Sequence, residues 1–206
     1  QIFIENGISP NEFIDADNQN ELLDTDNQNE LLDTDNQIVK IEKNKSLKDG
    51  IANMDIPVNK KIQHRYALII GNEDYQSRQR TLNSEQNVDY AVNDATIFRE
   101  YALKTLGVEE DNMFFLTNAT AVEMGQQIDL VVKIMSKLGN KGELIVYYAG
   151  HGFPDEKTNI PYLIPVDVSA SSLSYAIKLD DFYQKLSAAN SKQITIFLDA
   201  CFTGGG

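Results

Sequence analysis

Short apolar runs alternate along this chain with segments of helical spacing, and that alternation restricts it to very few folds. Tyr66-Ala67-Leu68-Ile69-Ile70, closed by Gly71-Asn72, reads as a buried strand. Ala91, Ala95, Phe98, Ala102 and Leu106 then share one helical face, and Gly107 supplies a stop. Met113 to Leu116 is a second strand. Met124, Ile128, Val131, Met135 and Leu138 form a second helical stripe ended by Gly139. Glu143 to Ala149 is a third strand, Tyr162 to Ile164 a short extended piece, Asp180 to Ala189 a helix, and Gln193 to Leu198 the last strand. Strands that are apolar throughout must be buried on both faces, which is the condition of a parallel sheet covered by helices. The expected architecture is a three-layer α/β/α sandwich with a mostly parallel sheet. Sites in such sheets form beyond the carboxyl ends of the strands. Three places qualify: after Ile70, after Ala149 and after Leu198.

The folded domain is expected over residues 63–206, behind a leader and linker over 1–62. The chain carries a net charge of −13, and residues 1–39 hold ten acidic side chains and no Lys or Arg. Asp17-Asn18-Gln19-Asn20-Glu21-Leu22-Leu23-Asp24-Thr25 recurs at 26–34, and Asp35-Asn36-Gln37 begins a third copy. Asp and Asn are poor helix formers and net charge opposes collapse, so the leader reads as a flexible acidic linker, with a prosegment or recruitment site as the sharper reading. Residues 40–62 look like a Lys-rich connector.

No apolar run approaches the roughly 18 residues of a membrane helix. No basic patch exists to attract phosphates, so neither a membrane nor a nucleic acid is an expected partner. No signal peptide is visible at Gln1-Ile2-Phe3-Ile4-Glu5. Without an initiator Met the sequence reads as a fragment or a processed product, and a cytoplasmic location is the expectation. The single cysteine forms no disulfide within the chain, so the fold must stand on its core.

Chemistry concentrates at two strand ends. His151 follows the third strand in Ala149-Gly150-His151-Gly152, and Cys201 follows the last in Asp199-Ala200-Cys201-Phe202-Thr203-Gly204. A thiol needs a base within reach to be nucleophilic at neutral pH. His64, the other histidine, precedes the first strand on the opposite rim, which leaves His151 as the base. Glycines beside His151 let the backbone approach a substrate and free the following amide for an oxyanion.

Tyr147-Tyr148-Ala149-Gly150-His151-Gly152 together with Leu198-Asp199-Ala200-Cys201-Phe202-Thr203-Gly204 resembles the large catalytic subunit of caspase-fold cysteine peptidases. The signature of caspases is Gln-Ala-Cys-x-Gly with its His about 50 residues upstream. Asp199 stands where caspases carry Gln, and Phe-Thr separates Cys from Gly, which points to the metacaspase and bacterial caspase-like branch. The resemblance covers residues 64–206. It implies the caspase-haemoglobinase fold, completed by a small subunit from the C-terminal remainder of the same precursor, and attack by Cys201 with His151 as base. It also implies an oxyanion hole from the Gly152 and Cys201 amides, and self-processing. Caspase-like domains continue beyond the nucleophile loop, so an end at Gly206 reads as a cut, as a remainder that is a separate chain after self-cleavage, or as the edge of a disordered loop.

The resemblance further places Asp94 and Asp199 in the primary specificity pocket. Two carboxylates there select Arg or Lys in a peptide substrate, with Arg favoured by its bidentate geometry. Asp167, Asp180 and Asp181 resemble a metacaspase calcium site, since calcium takes six to eight oxygens; no cofactor is required for the chemistry itself. The competing reading is an inactive caspase-like scaffold that binds partners through the leader. A nucleotide-binding module lacks its glycine-rich phosphate loop after the first strand.

Overall fold

The computed structural model describes residues 55–79, 85–169 and 171–202. The acidic leader and its repeat lie outside the described residues, as do Thr203 and Gly204 of the nucleophile loop. The chain divides into two units, Gln1–Asp49 and Gly50–Gly206, and the second holds everything described below.

Its elements are β1 (Arg65–Gly71), α1 (Ala91–Lys104), β2 (Met113–Thr117), α2 (Ala121–Leu138), β3 (Glu143–Ala149), β4 (Gly152–Pro154), β5 (Pro161–Leu163), β6 (Ile177–Lys178), α3 (Leu179–Ser187) and β7 (Gln193–Asp199). The main sheet runs β2-β1-β3-β7, and every neighbouring pair is parallel. Side chains of successive strand residues point to opposite faces. Leu68, Ile70, Leu144, Val146 and Tyr148 accordingly pack with Met124, Ile128, Val131 and Met135 of α2 and Phe182 and Leu186 of α3. Ala67, Ile69, Ile145, Tyr147 and Ala149 meet Ala91, Ala95 and Ala102 of α1 on the other side. The three expected layers are present. Each large aliphatic side chain buried this way contributes roughly 1.5–3 kcal/mol.

The alanine face of α1 has a reason. A Cβ on Gly71 would lie 2.7 Å from the Ala91 carbonyl oxygen and 2.7 Å from the Ala95 Cβ. Helix and strand therefore touch through residues with almost no side chain. α2 begins on a capping box: Thr120 accepts the Glu123 amide while Glu123 accepts the Thr120 amide.

Two features depart from the sequence reading. Tyr162–Ile164, expected as an isolated extended piece, contributes the middle strand of a second, antiparallel sheet ordered β4-β5-β6. β4 and β6 have three and two residues, too few for any periodicity to show. Residues 56–62, expected in the connector, lie against the folded unit. Ile56 is buried, the Asn59 and Ile62 amides donate to the Lys104 and Gly107 carbonyls, and Lys61 Nζ donates to the Leu103 and Val108 carbonyls.

At the amino-terminal rim, Glu143 accepts from Lys192 Nζ at 2.6 Å and from Arg65 Nε at 2.8 Å. These bonds, Lys192 foremost, hold the Glu143 carboxyl below the ordinary glutamate range. A depressed carboxyl adds stability that is present above its unfolded pKa, near ~4.3, and disappears as pH falls through the folded value. Glu143→Gln is therefore expected to flatten the acid limb of a melting-temperature profile between pH ~7 and ~3. An unchanged limb would show that Glu143 does not carry it.

Candidate active site

The register between β3 and β7 builds the site. Ala149 pairs with Asp199 at the end of both strands, and the Gly150 amide donates to the Asp199 carbonyl at 3.2 Å. His151 and Cys201 each lie two residues further on. The two chain segments stay side by side there. A Cβ on Gly152 would lie 2.6 Å from the Phe202 ring, so the residues that follow His151 and Cys201 are in contact. Cys201 is a free, exposed cysteine. His64, with its carbonyl accepting the Glu143 amide, sits at the opposite rim.

His151 is held on every side. Its ring Nε2 lies 2.7 Å from the Gln86 carbonyl oxygen. A carbonyl only accepts, so Nε2 carries the hydrogen and a neutral ring keeps its lone pair on Nδ1. The ring lies between Tyr75, with centroids 4.6 Å apart, and Phe153, at 5.2 Å. Its main-chain amide donates to Tyr75 Oη at 2.9 Å, and its carbonyl accepts from Tyr148 Oη at 2.7 Å and from the Ile164 amide at 3.0 Å. Gln86, Tyr75 and Phe153 were not foreseen. A main-chain carbonyl leaves no mark on residue type, and Tyr75 looks like any loop aromatic.

The structure also gives the flanking glycines a packing reason. Gly152 is bare because the Phe202 ring occupies the space, and Gly150 because the Tyr148 and Tyr75 hydroxyls do, its Cβ position being 2.8 and 2.9 Å from them.

Asp94 and Asp199 flank one phenol. Tyr147, a member of the core cluster, stacks on Phe98 at 4.3 Å, and its hydroxyl donates to Asp199 Oδ2 at 3.4 Å. Burial, and after it the negative charges of Asp199 and Asp94, push that hydroxyl well above its ordinary pKa. Asp94 sits in the first turn of α1, where it also meets the helix dipole, and accepts from Asn93 Nδ2 at 3.2 Å. Neither carboxylate pairs with a Lys or Arg among the described residues.

The expected calcium ligands are not gathered. Asp167 accepts the Ala121 amide at the start of α2, at 2.8 Å. Asp180 and Asp181 occupy the first turn of α3, and Asp181 is 3.8 Å from Lys178 Nζ. These are helix-start acids, each placed by an amino-terminal dipole. Among the described residues no group of three or more His, Cys, Asp or Glu could hold a metal ion.

A parallel-sheet sandwich that presents a thiol and an imidazole from adjacent strand ends is a frame for thiol-dependent hydrolysis. The family model of the caspase domain, peptidase family C14, matches residues 64–206, and the chain belongs to this family of cysteine peptidases. No curated protein matches the chain. No helix among the described residues is long and apolar enough to cross a membrane.

Proposed function

We propose that the chain is an endopeptidase that cuts after Arg or Lys with a Cys201–His151 dyad. The observation that carries this is the β3–β7 register, which sets both side chains two residues beyond the same paired position. His151 Nδ1 takes the thiol proton, and the thiolate adds to the scissile carbonyl. The Gly152 and Cys201 amides face the oxyanion. His151 then gives the proton to the leaving amine, and water releases the acyl group by the reverse sequence. Self-processing follows the same course on a basic site of the precursor.

The specificity reading rests on Asp94 and Asp199, two carboxylates around Tyr147 without a cationic partner among the described residues. A substrate guanidinium supplies that partner. The reading of a small subunit rests on β7, which among the described residues pairs with β3 on one side only and leaves Phe197 43% exposed. A further strand along that free edge would cover it.

A panel of fluorogenic peptides differing only before the scissile bond tests the assignment, with the expected order Arg, Lys, then Asp far behind. Asp94→Asn removes a charge-assisted contact worth about 1.5–3 kcal/mol. It is expected to lower kcat/KM for Arg peptides about 10- to 100-fold, chiefly through KM. Equal cleavage of Asp and Arg peptides, or an unchanged KM, would remove the acidic pocket.

A further inference from the structure

Tyr75 and Tyr148 are the largest side chains fully shut away from solvent, at 0% and 1% exposure. A buried hydroxyl is costly unless hydrogen-bonded, so where these two are aimed is informative. Both are aimed at the main chain of one residue, on either side of its Cα. Tyr75 Oη accepts the His151 amide and donates to the Ile164 carbonyl at 2.9 Å. Tyr148 Oη donates to the His151 carbonyl at 2.7 Å, with the Ile164 carbonyl at 3.0 Å. The Ile164 amide returns to the His151 carbonyl at 3.0 Å, which closes the circuit. Each hydroxyl has one proton, and one assignment satisfies every group: Tyr75 gives to Ile164 and Tyr148 gives to His151.

Tyr75 has two further holds. Its ring lies 4.6 Å from the imidazole. Its main-chain amide donates to Asn87 Oδ1 at 2.9 Å, and the Gln76 amide donates to the same oxygen at 3.0 Å. Asn87 is the neighbour of Gln86, whose carbonyl fixes His151 Nε2. One residue thus holds the main chain, touches the ring and anchors the neighbour of the ring nitrogen's partner. Gly150 completes the arrangement, because its missing Cβ is the space in which the two hydroxyls meet the chain.

We propose that Tyr75, seconded by Tyr148, is the positioning residue of His151: the paired buried hydroxyls fix its main-chain amide and carbonyl so that Nε2 is committed to Gln86 and Nδ1 is presented to the thiol. This rests on His151 acting as the base. Burial pushes the Tyr75 hydroxyl up to about 12 and Tyr148 well above its usual value, so both stay protonated across the working range.

The test uses the full chain and two readouts. Tyr75→Phe and Tyr148→Phe each delete one oxygen and keep the ring. Tyr75→Phe is expected to lower kcat for an Arg peptide at least about tenfold with KM within about twofold, which a loss of pocket would not produce, and kcat is counted per folded protein read from scanning calorimetry so that unfolding does not mimic it. Nitrogen-15 spectra of histidine-labelled protein give the second readout, and need no substrate. The chain has two histidines, so His64→Gln assigns His151. The wild type should show a single Nε2–H tautomer with a slowly exchanging proton, and Tyr75→Phe should mix the tautomers and speed exchange. If Tyr75→Phe does not fold, Tyr148→Phe probes the same clamp from the other hydroxyl. An Nε2–H signal that survives in both variants, with kcat unchanged, overturns the proposal. A wild type that cleaves no peptide but shows the expected tautomer, lost in Tyr75→Phe, defeats the protease reading and leaves the clamp standing.

Discussion

Cys201→Ala is expected to abolish cleavage of Arg peptides, with kcat/KM falling at least about 10⁴-fold, the scale of losing one member of a nucleophile–base unit. The variant should fold, because the thiol is exposed and contributes no core contact. His151→Ala should fall to a similar floor, and the double variant no further, since residues that act as a unit are not additive. His64→Gln, at the opposite rim, should leave the rate within about twofold, as surface changes away from a site usually do. Single-turnover assays on purified protein check all four. Cleavage that survives in Cys201→Ala would remove the thiol mechanism outright.

Gly150→Ala is expected to be the most damaging change that touches no reactive group. Gly150 has φ +154, and an added methyl would sit 2.8 Å from the Tyr148 hydroxyl and 2.9 Å from that of Tyr75. Neither oxygen can retreat, because both rings are buried. Backbone strain of this kind costs about 1–3 kcal/mol, and for a domain of this size each kcal/mol shifts Tm by about 2–4 °C. A drop of roughly 5–10 °C and a loss of kcat of ~100-fold or more follow, the second because the displaced element carries the imidazole. Gly125→Ala is the control: Gly125 lies within α2 with nothing within 4 Å of its added Cβ. It should raise stability by about 0.5–1 kcal/mol. Scanning calorimetry reads both, and an unshifted Gly150→Ala would mean the hydroxyls move aside freely.

How much of this could be read from the chain depends on which part of a residue does the work. The two inner strands of the main sheet were legible because a strand buried on both faces is apolar throughout, as in Leu144 to Ala149, while the part-buried edge strands β2 and β7 showed only as short apolar runs. Cys201 and His151 were legible as candidates because the chemistry proposed for them resides in side chains and their places follow from the strand ends. Asp94 and Asp199 were legible as charges, but the phenol between them was not, since Tyr147 in an apolar run looks like packing. Gln86 acts through its carbonyl, which any residue would supply. The partner of Asp167 was hidden for a related reason: the Ala121 amide lies 46 residues away and is presented only once α2 has formed. The glycines around His151 were seen, but the packing against Tyr75, Tyr148 and Phe202 that also requires them was not, because Tyr75 and Phe202 come from distant segments.

The ladder between β3 and β7 ties activity to the completion of folding. These strands lie far apart in sequence, and their seven pairs are all long-range. A shift of one residue would carry the imidazole about 3.3 Å along the strand and turn its side of the sheet inside out. A nascent or partly unfolded chain would therefore hold a thiol and an imidazole with no common address, and under the proposed reading it would be harmless to its neighbours. Cutting power would arrive in one step, when the last rung, Ala149 against Asp199, zips shut.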